Sequence, residues 1–345
     1  MFKTQDDYKS TLKKLELKPD LVKQAYERIK GSITRTPILS SSQLNRWLGH
    51  DIYFKMESFQ KVGAFKARGA INTLLTLKDN NFLPKEVVSF SSGNHAQAVA
   101  WAAAKMGVKA NILMSQHASP IKIQAAKAYG ANIILCKSRK EAEETAYSYA
   151  ENGSYLIPPY DHESVIAGQG TAAYEALQDM PKKPNAIFVP VGGGGLISGT
   201  YLAKKLLSPG SKVFGAEPEL ANDAAKSLED GKIFKFEDSP ETIADGVQTL
   251  SISERTFAHL MNTEGIITAS ENEIIYWTQW LTHLLKASVE PSCALAMASS
   301  FKWLKEQRGK KTLLVIISGA NLSAKKQKEI WSKDYLEDLP IIQKN

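Results

Sequence analysis

A strand-like run passes directly into an alanine-rich helical segment in EVVSFSSGNHAQAVAWAAAKMG, residues 86–107. The run holds β-branched and aromatic side chains, and the helical segment stops at a glycine. The alternation then repeats, with strands predicted at 110–114 and 132–136 and helices at 119–129 and 139–151. Strands and helices that alternate at these lengths form parallel βαβ units. The sequence therefore predicts an α/β protein whose sheet is covered by helices on both faces.

Elements on either side of this region suggest two domains. Upstream we predict a broken helical region at 1–35, a strand at 51–57 and a helix at 67–77. Downstream we predict a helix at 172–178 after the GQG of 168–170, a helix at 196–207, and strands at 185–191, 212–216 and 311–317. Between them PPYD at 158–161 breaks regular structure. We take residues 86–163 as a small domain inserted into a large cofactor-binding domain, 1–85 and 164–345.

The composition is that of an ordinary soluble globular protein, with 43% hydrophobic and 23% charged residues in a chain of 345. Two cysteines, Cys136 and Cys293, lie far apart in sequence, which suits a reducing compartment rather than a disulfide framework. No apolar run reaches the length of a membrane span, and the N-terminal residues lack the pattern of a signal peptide. The net charge of +7 attracts anions, but the basic residues are spread along the chain. We expect a cytoplasmic protein that binds neither nucleic acid nor a membrane.

Four consecutive glycines, Gly192, Gly193, Gly194 and Gly195, lie between a predicted buried strand and a predicted helix. Their amide groups can point into one concavity, and the N-terminus of the following helix adds partial positive charge. A tight turn would require one or two glycines rather than four. The run therefore predicts an anion cradle, most simply for a phosphate.

A dinucleotide site is the alternative for this cradle. Glu217 closes the next strand about twenty residues later, where a ribose-binding acid would lie. However, no G-x-G-x-x-G fits residues 192–199, since the third glycine would fall on Ile197 or Ser198, and no Gly-Lys-Ser/Thr follows. A single phosphate fits better, and a nicotinamide-dependent dehydrogenase stays open as the alternative.

Lys66 is the candidate nucleophile. It lies in QKVGAFKARGA, residues 60–70, beside Phe65 and within three residues of a glycine on each side. Burial in such an apolar segment lowers an ammonium pKa and makes the amine a usable nucleophile. The alternative is a surface lysine whose stem lies along apolar neighbours while its head stays in water. A non-enzymatic binding module would tolerate its loss.

Two further motifs follow predicted strands, at the edge where ligands bind in open α/β sheets. Ser91, Ser92, Asn94 and His95 end a strand and open a helix. This segment can present free amides to a carboxylate and a hydroxyl that relays a proton, or it can be a plain N-cap. Ser318 follows the last apolar strand, where its hydroxyl could touch a heterocycle or merely form a turn.

A candidate cation site comprises Glu217, Asp223 and the carbonyl of Ala221. Mg²⁺ takes a few protein oxygens plus water, and a turn at Pro218 could bring the two acids together. The alternative is a pair of surface acids, which are more common than metal ligands.

Together these segments resemble the fold-type II pyridoxal-phosphate enzymes, in particular the threonine/serine dehydratase and serine racemase group. The resemblance covers residues 20–325 and includes VGAFKARGA at 62–70, IAGQGT at 166–171 and TIADGV at 242–247. It implies the tryptophan-synthase-β-like fold, in which two open, mostly parallel twisted sheets are flanked by helices.

The resemblance also implies roles for the candidate residues. Lys66 would form the Schiff base with pyridoxal 5'-phosphate, with Phe65 beside the ring. Asn94 would bond the ring hydroxyl, and Ser318 would face the pyridine nitrogen. The implied ligands of the phosphate are Gly192, Gly193, Gly194 and Gly195, and those of the substrate carboxylate are Ser91, Asn94 and His95.

A serine at the pyridine nitrogen favours elimination. Unlike a carboxylate, its hydroxyl does not enforce a protonated ring nitrogen, so the ring is a weaker electron sink. The negative charge that develops at Cα is then relieved more readily by expelling a β-substituent than by a reaction such as transamination. We therefore predict a lyase, namely a threonine/serine dehydratase (ammonia-lyase) that converts a β-hydroxy amino acid to a 2-oxo acid and ammonia, with Lys66 removing the α-proton.

Serine racemase is the main alternative, and 3-hydroxyaspartate ammonia-lyase is a further one. Dehydratases usually carry Ala where this chain has Ser92, whereas racemases carry Ser there as the acid/base on the opposite face. The predicted cation site also looks like the racemases' divalent-metal site. In contrast, EPS at 290–292 and SGAN at 318–321 resemble the biosynthetic threonine dehydratases, and Cys293 stands where the family often has Gly. We expect a homodimer or a homotetramer.

Overall fold

Two open sheets flanked by helices build the molecule. The computed structural model describes residues 5–342, so residues 1–4 and 343–345 of the predicted large domain lie outside the described residues. The strands are β1 Ile38–Leu39, β2 Asp51–Met56, β3 Glu86–Phe90, β4 Lys109–Ser115, β5 Asn132–Cys136, β6 Tyr155–Leu156, β7 Ala186–Pro190, β8 Lys212–Pro218, β9 Ile266–Ala269 and β10 Thr312–Ile317. The helices are α1 Gln5–Lys14, α2 Asp20–Ile29, α3 Ser42–Leu48, α4 Lys66–Asp79, α5 Asn94–Met106, α6 Pro120–Ala128, α7 Arg139–Glu151, α8 Glu163–Asp179, α9 Gly195–Leu207, α10 Asp223–Asp230, α11 Glu254–Leu260, α12 Glu271–Leu285, α13 Pro291–Lys305 and α14 Ala324–Ile330.

The larger sheet has the strand order β1-β2-β10-β7-β8-β9, and the smaller one has the order β5-β4-β3-β6. Only β1 in these two sheets pairs antiparallel among the described strands. The predicted α/β class with two mostly parallel sheets is thus confirmed. All strands of the smaller sheet fall inside 86–163, and all strands of the larger sheet fall outside it. The domain boundaries themselves stay a prediction.

Continuous apolar strands form the centre of the larger sheet, as expected for strands covered on both faces. Every residue of β7 and β10 is buried. Their register pairs Val315 with Phe188 on one side and with Phe54 on the other. Parallel pairing brings the carboxyl ends of these strands together, and the segments that follow them meet there. No helix within residues 5–342 is long and apolar enough to cross a membrane.

One predicted helix was too short. Helix α8 begins at Glu163, nine residues before the predicted start, and passes through Gly168 and Gly170. These glycines permit close contact between helices. A Cβ on Gly170 would lie 2.5 Å from the Gly199 oxygen on α9, and one on Gly168 would lie 2.6 Å from the Arg68 oxygen on α4. The glycines therefore serve helix packing, and they do not mark a loop.

Candidate active site

A cavity of about 270 Å³ lies where β3, β7 and β10 end. It is the place expected for a ligand in an open α/β sheet. The residues predicted to bind cofactor or substrate all line it: Phe65, Lys66, Ser91, Ser92, Asn94, His95, Gly192, Gly193, Gly194, Gly195 and Ser318. Segments far apart in sequence thus converge on one site.

Lys66 is the first residue of α4. Its side chain lines the cavity, where its Nζ donates a 2.6 Å hydrogen bond to the Pro159 oxygen and lies 5.0 Å from the Phe65 ring centre. The side chain keeps partial access to the cavity, but the protein around its amine excludes most water. This desolvation lowers the pKa of Lys66 to about 7. A substantial fraction of the amine is therefore neutral near pH 7, as a nucleophile or base requires.

The loop before Lys66 is fixed to the segment that follows β10. The Phe65 N–H donates to the Ser318 oxygen at 3.0 Å, and the Ala320 N–H donates to the Gly63 oxygen at 3.0 Å. Gly63 has a φ of +67° and lies against the Asn321 side chain, where a Cβ would be only 2.9 Å from its oxygen. These bonds hold the lysine and the Ser318 end of β10 at a defined separation.

A buried ion cluster fixes α4 from the other side. Arg68, two residues after Lys66, pairs with Glu57 at 2.6 Å and with Glu175 at 2.8 Å. Lys55 pairs with Glu175 at 2.7 Å, and all of these side chains are at most 1% exposed. Because removing one member of such a cluster leaves an uncompensated buried charge, the cluster specifies one position for the first turn of α4.

The two serines before α5 make different contacts. Ser91 Oγ accepts a 3.2 Å hydrogen bond from the Gly93 N–H, as in a local turn. Ser92 Oγ accepts a 3.0 Å hydrogen bond from the Ser115 N–H at the end of β4. In that bond the Ser92 hydroxyl acts as the acceptor, so its own proton takes no part in it. Ser92 is thus a hydroxyl held in the cavity by a backbone donor.

Asn94 is oriented by two side chains to which the sequence assigned no role. Its Nδ2 donates to both Glu290 oxygens, at 3.0 and 3.2 Å, and its Oδ1 accepts from Asn321 Nδ2 at 2.8 Å. Glu290 is 2% exposed, and burial raises its pKa. The sequence signal that could have found it is an acid directly before the proline that starts an apolar helix.

His95 has one ring nitrogen engaged and one free. Its Nε2 lies 3.0 Å from the Ile157 oxygen, and because a carbonyl only accepts, Nε2 carries the proton. Burial and the charge of Lys66 lower the pKa of His95 to about 3, so the ring is neutral and Nδ1 is a bare acceptor. Nδ1 has no partner among the described residues. The ring cannot donate to a substrate carboxylate, so that contact would have to come from the amides at the start of α5.

The glycine loop is required by its neighbours. A Cβ on Gly193 would lie 2.0 Å from the Tyr160 ring, and one on Gly195 would lie 2.6 Å from the Gln169 oxygen. Gly194 has a φ of +86° and forms the N-cap of α9. The first amides of α9 have no partner within the helix, so the loop retains the donors that an anion needs.

Ser318 follows β10 and is 6% exposed. Its Oγ lies 3.3 Å from the Cys293 sulfur, which also accepts a 3.1 Å hydrogen bond from the Gly319 N–H. Burial raises the pKa of Cys293 to about 12, so the thiol is neutral. The cysteine therefore packs as a small neutral partner beside the predicted pyridine contact.

Basic residues from the smaller sheet's helices also line the cavity. Lys122 pairs with Asp245 at 2.8 Å. Arg139 donates to the Gln248 backbone oxygen and, at 2.9 Å, to the Gln248 side-chain oxygen. Sequence reasoning missed both cations, because single basic residues on amphipathic helices look like solvated surface.

The predicted cation site lies apart from the residues that line the cavity. Glu217 and Asp223 are both fully buried, and the Glu217 oxygens accept from the Ala224 and Ala225 N–H groups at 3.1 and 2.8 Å. Neither oxygen of Asp223 has a hydrogen bond of normal geometry to any residue that the structure describes. Burial raises the pKa of Asp223 to about 7, although nearby N–H groups and the Thr249 hydroxyl partly offset it.

Burial and the charge of Asp223 likewise raise the pKa of Glu217. No group of three or more His, Cys, Asp or Glu side chains within residues 5–342 could hold a metal ion. A cation would thus depend on these two acids, the Ala221 carbonyl and water. A buried acid pair with an unpartnered carboxylate fits a divalent cation.

Comparison with known proteins agrees with this site. The family described as "Pyridoxal-phosphate dependent enzyme" matches residues 29–319. The chain is 44% identical to L-threo-3-hydroxyaspartate ammonia-lyase from Saccharomyces cerevisiae, over 93% of this chain and 98% of that protein. It is 41% identical to serine racemase from Schizosaccharomyces pombe, over 88% of this chain and 94% of that protein.

A solved structure, the serine racemase from Dictyostelium discoideum, superposes with a TM-score of 0.82 at 37% identity, covering 89% of this chain and 99% of that chain. A solved threonine deaminase superposes with a TM-score of 0.83 at 42% identity, over the same shares of the two chains. The resemblance stated above is thereby confirmed, and the dinucleotide alternative is not needed to explain the glycine loop. The chain belongs to the pyridoxal-phosphate-dependent enzyme family, among its ammonia-lyases and racemases.

Proposed function

We propose that this chain is an ammonia-lyase that converts a β-hydroxy amino acid to a 2-oxo acid and ammonia. The observation that carries the proposal is the position of Lys66, whose pKa of about 7 makes it a competent base in the same cavity as the glycine loop and Ser318. We propose L-threonine and L-serine as substrates, since each carries on Cβ a hydroxyl that elimination can expel.

The residues present fit pyridoxal phosphate. We propose that the amides of Gly192–Gly195 hold its phosphate, that Asn94 and Ser318 contact its ring, and that Lys66 holds it covalently. When bound, the cofactor supplies an electron sink for the negative charge that develops at Cα. The position of all four glycines in the cavity lining, directly before and at the start of α9, supports this assignment, because the first amides of a helix are free to donate to an anion.

Three groups of the protein then divide the work. Once the substrate's amino group has displaced Lys66 from its bond to the cofactor, the freed amine of Lys66 would remove the α-proton from one face of the substrate. The amides at the start of α5 bind the substrate carboxylate, as a helix N-terminus favours an anion. The hydroxyl of Ser318, beside the neutral thiol of Cys293, would not force the ring nitrogen to be protonated. The negative charge at Cα would then be relieved by loss of the β-substituent.

A specific observation favours a dicarboxylic substrate, L-threo-3-hydroxyaspartate. Lys122 and Arg139 both line the cavity; Lys122 is paired with Asp245, whereas Arg139 has no ion pair among the described residues. Arg139 is held by neutral oxygens of Gln248 and keeps its full charge. A second carboxylate on the substrate could therefore pair with Arg139.

The test is a substrate panel of L-serine, L-threonine and L-threo-3-hydroxyaspartate with the purified holoenzyme. We expect 2-oxo acid release from at least one of them, measured by a coupled assay. Arg139→Met should lower kcat/KM for hydroxyaspartate by about tenfold or more, because it removes a charged hydrogen bond, and should spare L-serine. Release of 2-oxo acid from none of the three would contradict the proposal, and equal losses for serine and hydroxyaspartate would exclude the role of Arg139.

Serine racemase is a second candidate function, favoured by Ser92. Its oxygen is held in the cavity by the Ser115 N–H, which would stabilise the hydroxyl as a proton donor or acceptor on the face opposite Lys66. If the protein forms D-serine from L-serine, Ser92→Ala should abolish D-serine formation while L-serine dehydration stays within about threefold of wild type. Chiral chromatography of both products decides this. A racemase whose Ser92→Ala variant still forms D-serine would exclude Ser92 as the second acid/base.

We further propose a divalent cation, such as Mg²⁺, at Glu217, Ala221 and Asp223. We keep the division into a large domain, 1–85 and 164–345, and an inserted domain, 86–163. Two free buried cysteines support a reducing, cytoplasmic location. We also propose that the protein is a homodimer or a homotetramer.

A further inference from the structure

The segment 157–159, which runs from β6 towards α8, passes beside Lys66. We propose that the Pro159 carbonyl oxygen orients the ε-amino group of Lys66 whenever that amine is free, and that Gln169 is the positioning residue that fixes this carbonyl. The inference rests on the proposed function of Lys66 and adds to it Gln169, a residue to which the sequence assigned no role.

Two side chains share the Pro159 oxygen. Lys66 Nζ donates to it at 2.6 Å, and Gln169 Nε2 donates at 3.2 Å. A carbonyl oxygen has two lone pairs, so both bonds can exist together. Gln169 is fully buried on α8, and its Oε1 has no partner among the described residues. Its bond to Pro159 is thus the one hydrogen bond of this amide in the described structure, and it points at the carbonyl that holds the lysine.

The other end of the segment is held independently. The Ile157 N–H donates to the Val88 oxygen at 2.9 Å, and the Ile157 oxygen accepts from Ser89 Oγ at 2.7 Å and from His95 Nε2 at 3.0 Å. Two prolines follow, and each restricts its own φ. These restraints hold the segment independently of Lys66 but leave ψ of Pro159 free, so the hydrogen bond from Gln169 is what fixes the direction of the Pro159 carbonyl.

A neutral acceptor suits a lysine that takes up and releases a proton. A base must lie within hydrogen-bond reach of the proton it removes, in a defined direction. The flexible stem of lysine does not supply that direction, whereas one fixed carbonyl does. A carbonyl accepts from both the amine and the ammonium form. A carboxylate in its place would favour the ammonium form and raise the pKa.

Burial is the main influence on the pKa of Lys66. His95 on α5 is neutral, with a pKa near 3, and burial raises the pKa of Tyr160, so this phenol is neutral as well. Arg68, on the same helix, is paired with Glu57 and Glu175. The other titratable residues that line the cavity are Lys122, Arg139, Glu143, Lys235, Asp245 and Glu290.

Gln169→Met keeps the size of the side chain and removes its donor. We expect the full-length protein, stripped of cofactor, to take up pyridoxal phosphate about tenfold more slowly, as followed by its visible absorption band. In the holoenzyme kcat should fall by a similar factor, with KM within about threefold of wild type. Gln279→Met is the matched control, because Gln279 is also fully buried and donates to two backbone carbonyls, those of Ile330 and Lys333.

Gln169→Glu separates positioning from packing. Because Gln169 Nε2 and Lys66 Nζ share one acceptor, the new carboxylate lies within about 6 Å of the amine, where an opposite charge favours the ammonium form. The acid limb of kcat, and of cofactor uptake, should move up by about one pH unit or more. An unmoved acid limb, or a Gln169→Met variant that behaves like Gln279→Met, overturns the inference. A wild-type protein that never gains the band would instead overturn the proposed function.

Discussion

Lys66→Ala should not acquire the visible absorption band that the wild-type protein gains with pyridoxal phosphate, and its turnover of every substrate should fall by roughly 10³-fold. The substitution removes both the proposed covalent attachment point and the proposed base. Neither Lys122 nor His95 replaces it at neutral pH, because Lys122 is paired with Asp245 and the ring of His95 has a pKa near 3. The measurements are an absorption spectrum after removal of unbound cofactor, and kcat for 2-oxo acid release.

Lys61→Ala is the control, because Lys61 lies in the same loop and its side chain is exposed. It should keep the band and the activity. Both variants should melt close to the wild-type temperature, since Lys66→Ala relieves the desolvation of an amine and breaks one hydrogen bond. A band that persists in Lys66→Ala would assign the covalent role to another residue. A protein that stays colourless with added cofactor would remove the basis of the whole proposal.

The smaller sheet was predictable because its signals are local. Helices α5 and α7 begin and end where the sequence indicated, and so do strands β3 and β5. Each apolar run is bounded by glycine, serine or a charge, and local periodicity decides its class. The start of helix α8 was mispredicted because Gly168 and Gly170 look like a loop in the sequence. In the fold they are sites of close helix contact, which only their neighbours Arg68 and Gly199 reveal.

The candidate site likewise has a part that the sequence predicts and a part that only the packed structure reveals. Lys66, the glycine loop and Ser318 stand at strand or helix ends, so motif and topology together predict that they converge. Glu290 and Gln169 lie in the segments EPS and IAGQGT, but these segments do not indicate which side chains they contact, and the Pro159 carbonyl carries no sequence signal. Their importance comes from burial and from hydrogen bonds that span ten residues or more, such as the bonds from Asn94 to Glu290 and from Lys66 to Pro159. These contacts depend on the packing of whole elements.

The proposed cation site is an intermediate case, because the sequence predicted part of its arrangement. The sequence suggested that Glu217 and Asp223 approach each other across Pro218, and it left open whether they lie on the surface. In the structure both are fully buried. Burying two acids beside each other is costly unless a proton or a cation compensates the charge. The stability of the protein should therefore report which of the two is present.

Without a divalent cation, the free energy of unfolding should fall as the pH rises from about 4 to about 7. The pKa of Asp223 is raised to about 7 in the folded protein, against an ordinary value of 3.8, and that of Glu217 is raised as well. The folded state thus binds these protons more tightly than the unfolded chain does. Their stabilising contribution is complete below the unfolded pKa and is lost as the pH passes the folded pKa. A shift of about three units corresponds to about 4 kcal/mol.

Mg²⁺ should reverse this loss at pH 7.5, raising the free energy of unfolding by about 2.7 kcal/mol at a hundredfold excess over its Kd. Asp223→Asn removes the charge, so it should stabilise the cation-free protein at this pH and abolish the response to Mg²⁺. Asp230→Asn, at the exposed end of the same helix, should leave both unchanged. Denaturant unfolding with Mg²⁺ or with a chelator measures each effect. An equal response to Mg²⁺ in the wild type and in Asp223→Asn would place any bound cation elsewhere, because the ligand removed by the substitution would not be needed.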